Sequence, residues 1–263
     1  MNGYDFTKRW LAHYGICVTF IVVLASPGPG QTVTTESILR QALLAHLGPG
    51  GLPADLLIQG QLTNASGTRP LRMQVKGKNK IRYELGLTPR QTVSIYSAGA
   101  GWTGSNANVK PVAPHAAVRR PMELPFLDVI DELGDPRLTA RYASLEVIGQ
   151  TNVHHIVLRL RDSIPRSERF LSRPLDEEVE FFIDVTTNLI VRSQRMQVAD
   201  NSMDFRVPSV LDFSDYRQVG GLMIPFRIVN TIGTPYSGMG QSTLVLQSVV
   251  VNQGIPDSVF QPQ

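Results

Sequence analysis

From Leu56 onward the chain repeats one pattern: short runs alternating apolar and polar residues, each ended by turn-forming residues. Leu56, Ile58 and Leu62 alternate with Leu57, Gln59, Gln61 and Thr63, Leu71, Met73 and Val75 with Arg72, Gln74 and Lys76, and Ile81, Tyr83 and Leu85 with Arg82 and Glu84. Asn64-Ala65-Ser66-Gly67 and Gly77-Lys78-Asn79 separate them. A period of two puts successive side chains on opposite faces, so these runs are consecutive antiparallel hairpins with one apolar face and one wetted face. Val93 and Ile95 continue the series, and Trp102 follows a glycine-rich bend.

The same period returns at Leu145–Ile148, His154–Leu160, Val179–Val185, Ile190–Met196, Val210–Arg217, Leu222–Ile232 and Ser242–Val251. Asp184-Val185-Thr186-Thr187-Asn188-Leu189 and Gly220-Gly221 read as tight turns. Two segments break the pattern. Ile38, Leu39, Ala42, Leu43 and Leu47 have helical spacing between a Thr34-Thr35-Glu36 start and a Gly48-Pro49-Gly50-Gly51 stop, and Phe126, Ile130 and Leu133 mark a second short helix ending at Gly134. About ten consecutive strands must manage their edges, and two short helices suffice to cover one open side. The expectation is a mainly β fold: a curved antiparallel sheet forming an unclosed β-barrel of about ten strands, covered by two short α-helices.

Ahead of this, Lys8 and Arg9 precede the uncharged run Ile16–Ala25, followed by Ser26-Pro27-Gly28-Pro29-Gly30. A helix of about ten apolar residues spans ~15 Å, half a bilayer, so residues 1–30 read as a secretory signal peptide, with an uncleaved anchor as the alternative. Residues 31–263 are then a single half-barrel domain, exported, periplasmic and soluble after cleavage. The one cysteine, Cys17, lies inside the leader, so the mature chain relies on its core and not on disulfides. A formal net charge of +3 is too weak a field to point to nucleic acid.

No constellation of catalytic residues emerges, and no cofactor or metal is indicated. His154 and His155 are neighbours on a strand and point to opposite faces, so one metal cannot take both; one is expected packed and one solvated. Asp128, Asp131 and Glu132 share one face of the second helix, as the wet side of an amphipathic helix does. There is no Gly-x-Ser-x-Gly elbow, and Gly99-Ala100-Gly101-Trp102 lacks the strand-to-helix context of a phosphate loop. The basic loop with Arg159, Arg161, Arg166, Arg169 and Arg173, and the pair Arg119-Arg120, suit lipid headgroups or an anionic surface; the interspersed Asp162, Glu168, Asp176, Glu177 and Glu178 suit a solvated loop. Arg166, Arg169 and Arg173 are the headgroup or membrane-contact candidates.

The order of leader, amphipathic helix, strands bearing Leu62-Thr63 and Arg72-Met73-Gln74-Val75-Lys76-Gly77, mid-chain helix and closing signature resembles the periplasmic lipoprotein-carrier superfamily of Lol-type carriers and receptors and outer-membrane lipoprotein-sorting-like proteins. The signature is Asp184 to Ile190, then Asp215-Tyr216-Arg217-Gln218-Val219-Gly220-Gly221-Leu222-Met223-Ile224-Pro225-Phe226. The resemblance implies an unclosed barrel around an apolar cavity that holds acyl chains under helices. It implies an exported, non-enzymatic carrier or receptor of the bacterial envelope, with lipid or lipoprotein acyl chains as ligand, an envelope protein as a further partner and transient contact with a membrane surface. If the apolar faces line such a cavity, its walls are Leu62, Met73, Val75, Ile81, Tyr83, Val93, Ile95, Trp102, Phe181 and Ile183. A barrel filled by its own side chains carries the same signature, and would suit an envelope sensor or protein-interaction module with no lipid ligand.

Overall fold

The computed structural model describes residues 34–97, 99–105, 108–112, 123–134, 136–161, 178–198, 206–234 and 238–262. Residues 1–33, where the leader is expected, lie outside the described residues, as do Arg119, Arg120, Arg166, Arg169 and Arg173 and the side chains of Asp128, Asp131 and Glu132.

Helix α1 (Thr35–Leu47) begins where the Thr34 hydroxyl accepts from the Ser37 amide at 3.1 Å, an N-cap that satisfies one of the first-turn donors. It ends at Gly48, where φ is +60° and an added Cβ would lie 2.8 Å from the Gly221 carbonyl oxygen. Strands β1 (Asp55–Asn64), β2 (Gly67–Lys76), β3 (Lys80–Leu85), β4 (Thr92–Ser97), β5 (Ala100–Ser105) and β6 (Asn108–Pro111) follow. After helix α2 (Pro125–Gly134) come β7 (Leu138–Ile148), β8 (Thr151–Leu160), β9 (Glu178–Asp184), β10 (Ile190–Val198), β11 (Arg206–Val219), β12 (Leu222–Thr234) and β13 (Gly238–Val251). A 3-10 turn, Asp257–Phe260, closes the chain.

All thirteen strands belong to one antiparallel sheet in the order β6-β5-β4-β3-β2-β1-β13-β12-β11-β10-β9-β8-β7. The chain therefore starts at the centre, walks outward to β6, crosses by way of α2 to the opposite edge at β7, and walks back until β13 pairs with β1. Strands β6 and β7 are the two ends of the sheet, so the barrel is unclosed. The strands not anticipated are β5 and β6, whose sequences AGWTGS and NVKP carry too few apolar residues to show an alternation.

One face of the sheet is apolar almost throughout and is covered by the helices. Leu56 and Ile58 pair with Val75 and Met73, which pair with Ile81 and Tyr83. Across the centre the same face continues through Leu244, Ile228 and Phe213, and at the far side through Ile183, Phe181, Ile156 and Leu158. Ile38, Leu39 and Ala42 of α1 and Phe126, Leu127 and Val129 of α2 complete this one cluster. As expected, Phe126 is fully buried, whereas Ile130 and Leu133 are half-buried. Helix α1 packs on α2, β12 and β7. No helix among the described residues is long and apolar enough to cross a membrane.

Candidate functional site: the helix-covered face

Register decides which expected wall residues meet. Met73, Val75, Ile81, Phe181 and Ile183 are buried in the main cluster, with Leu62 and Tyr83 packed against it. Val93, Ile95 and Trp102 do not join them. Arg82 pairs with Ile95 and Glu84 with Val93, and Ile95 pairs with Trp102. Directly opposed residues share a face, so these three lie on the outer face, opposite to Ile81 and Tyr83. There they form a second cluster with Ile255 and Phe260 of the C-terminal segment. The apolar alternation of β4 is as regular as that of β3, but its apolar residues serve the other side.

That C-terminal segment is pinned by charge. Asp55, 2% exposed, accepts from the amides of Gln253, Gly254 and Ile255 at 2.7, 2.9 and 3.0 Å. Lys76 and Lys80 meet Asp257 at 2.7 and 2.9 Å, holding its carboxyl down at about 2. Arg82 donates to the Val259 carbonyl at 3.2 Å.

On the helix-covered face, two polar contacts hold the helices down. The Tyr83 hydroxyl of β3 donates to the carboxylate of Glu123, just ahead of α2. Burial, with that carboxylate beside it, pushes the phenol well above its ordinary range. At the other end, His46 of α1 has no exposed surface. Its Nδ1 donates to the Met223 carbonyl at 3.0 Å and its Nε2 accepts from the Ile190 amide at 3.2 Å. Those two partners require a neutral ring protonated at Nδ1, and burial lowers its pKa to about 4.

The closing signature builds the floor under His46. Asp215 adopts φ +53° between Ser214 and Tyr216, which pair with Arg227 and Pro225 of β12 in unbroken register. Tyr216 donates to the Ile190 carbonyl at 2.5 Å and lies edge-on to His46. Arg217 sits 4.4 Å above Phe226 and is held by Asp215 at 2.7 Å, and Gly220 and Gly221 turn the chain with φ of +57° and +90°. Neither His46 nor Asp55 was anticipated. The spacing Leu39, Ala42, His46 places the histidine on the buried face of α1, a signal a list of hydrophobic residues passes over.

Among the described residues, the buried atoms on this apolar face without a hydrogen-bond partner include the Nε of Arg69 and the hydroxyl of Ser193. Arg69 pairs with Leu62, at the end of the face remote from His46, and Ser193 lies between Phe181 and Leu211.

The histidine pair divides between faces as expected, but both rings are half-buried, and the expected solvated ring is not found. His154 meets Tyr142. His155 stands between Glu146 and Glu180, each 2.7 Å away, and stacks on Phe182. Among the described residues no group of three or more His, Cys, Asp or Glu side chains is arranged to hold a metal ion.

Against solved structures, this architecture has clear parallels. It superposes on a LolA superfamily protein from Nitrosomonas europaea with a TM-score of 0.56 at 14% identity, over 88% of this chain and 98% of that one. A domain assigned to an outer membrane lipoprotein-sorting protein from Vibrio parahaemolyticus gives 0.57 at 12%, over 87% and 97%. The chain shares the fold of these two proteins. A DUF1329 family protein from Desulfovibrio piger shares the architecture, at 0.59 and 12% over 88% and 98%. No protein-family model and no curated protein sequence matches the chain. At these identities the likeness is one of fold.

Proposed function

We propose that this is an exported, non-enzymatic binding protein of the bacterial envelope that holds an acyl chain, free or on a lipoprotein, between the sheet and its two helices. The observation that carries the reading is the continuity of one apolar face across β1–β3 and β8–β13 under a cover of only two short helices. Apolar surface of this extent retains an apolar ligand by removing it from water. Arg69, whose guanidinium Nε is buried without an acceptor at one end of that face, supplies a donor for an anionic or ester group at the end of the chain. Met73 and Ile81 are 1% exposed and Phe181 and Ile183 0%. These residues are packed closely under the helices, so an acyl chain taken up against them enters as α2 moves off the sheet.

The same close packing favours a second reading: an envelope sensor or interaction module whose core is permanently filled. Solvent extraction of the purified exported protein followed by mass spectrometry separates the two. The carrier yields acyl lipid in stoichiometric amount, or takes up a fluorescent fatty acid when purified empty. A protein that does neither, and co-purifies with a protein partner instead, is the filled module.

A further inference from the structure

The two ends of the sheet are built differently. The β6 edge is four residues long and ends in Lys110 and Pro111, a short, charged, proline-ended edge of the kind that resists further pairing. The β7 edge is eleven residues long. It carries Tyr142, Leu145 and Val147 at 40, 61 and 65% exposure. A long edge with three large exposed apolar side chains is a template for another strand.

A bulge between Tyr142 and Ser144 sets which residues share a side. Ala140, Tyr142, Leu145 and Val147 oppose Leu158, Ile156, His154 and Asn152, on the helix-covered face. Arg141, Ser144 and Glu146 oppose Val157, His155 and Val153, on the outer face. In an unbroken ladder with Ala143 in regular alternation, Tyr142 and Leu145, three residues apart, would point to opposite faces.

We propose that β7 pairs antiparallel with β7 of a second copy of this chain, about a two-fold axis at Ser144. Counting Ala143 as the bulged residue, this register sets Arg141 of each copy opposite Glu146 of the other on the outer face. It sets Tyr142 opposite Leu145, and Ala140 opposite Val147, on the helix-covered face. Ser144 meets its own copy on the axis, the pairs on either side of it out to Ala140 and Val147 are either oppositely charged or apolar, and the pattern is its own complement, as a two-fold interface requires. Arg141 is exposed and free to turn toward the second copy, while Ser144 and His155 already fix the carboxylate of Glu146.

Sedimentation velocity over a range of concentrations tests this on the exported protein. The wild type forms a concentration-dependent dimer. Arg141→Glu sets like charges opposite each other twice per dimer and weakens the dimer about tenfold or more; adding Glu146→Arg restores it. Val147→Lys, which leaves the hydrogen bonds of the fold in place, gives a monomer. A wild type that stays monomeric at all concentrations overturns the proposal, as does a Val147→Lys variant that dimerises like wild type. So does a monomeric wild type whose β7 instead captures an extended segment of another protein.

Discussion

His46 donates from Nδ1 to the carbonyl of Met223, 177 residues further along the chain. With the Ile190 amide on Nε2, one neutral ring ties α1 to two separate strands of the sheet.

That junction makes stability acid-sensitive. The folded pKa of about 4 lies below the ordinary 6.5, so between these values the unfolded chain binds the extra proton. Stability is complete above pH 6.5 and falls as the pH drops toward 4, by up to about 3 kcal/mol. Urea unfolding of wild type and His46→Gln between pH 7.5 and 4.5 measures it. The variant is less stable at pH 7.5, and the gap narrows on acidification; a constant gap rules out the neutral-ring junction.

Asp55 anchors the C-terminal segment by three charge-assisted bonds. Asp55→Ala strands three amides and costs about 2–4 kcal/mol. Amide exchange at Ile255 and Val259 accelerates more than exchange elsewhere. Trp102 is half-buried beside this segment, so in a Trp10→Phe background, which removes the other tryptophan, a red shift in emission reports detachment directly.

Tyr83→Phe removes the hydroxyl that holds the start of α2. The expected loss of stability is about 1 kcal/mol, but exchange of the α2 amides quickens, and uptake of a fluorescent fatty acid quickens with it. Unchanged uptake with faster exchange would mean that α2 is not the gate.

At the bulge where β1 meets β13, a Cβ on Gly60 would lie 2.5 Å from the Val245 carbonyl oxygen. Backbone cannot swing aside as a side chain can. Gly60→Ala is expected to cost about 2–3 kcal/mol through strain in the central strand pair, read as a lowered urea midpoint.

The sheet was legible in the sequence wherever one face is apolar and the other wet, as in β1–β3 and β8–β13. It was illegible in β5 and β6, where glycine, serine and proline replace the alternation. The candidate site was readable as far as period two allows. Alternation says that Val93 and Ile95 share a face, but only register says which, and register depends on partners distant in the chain. The polar anchors were hidden for a related reason. Asp55 and His46 bond to atoms of the main chain, 198 and 177 residues away for Gln253 and Met223, and a backbone amide or carbonyl leaves no mark in a sequence.

The pairing of the first strand with the last governs how the molecule is assembled. β1 and β13 form the middle of the sheet, and Leu56 meets Val251. During synthesis, β1–β6 and then β7–β12 can zip locally by hairpins, but the two halves join only once the final strand has emerged. Closing that loop carries the largest entropic cost in the fold and makes it the slow step. A chain cut short before Gly238 would therefore leave two half-sheets with open central edges, exposing aggregation-prone strands in place of a merely weakened protein.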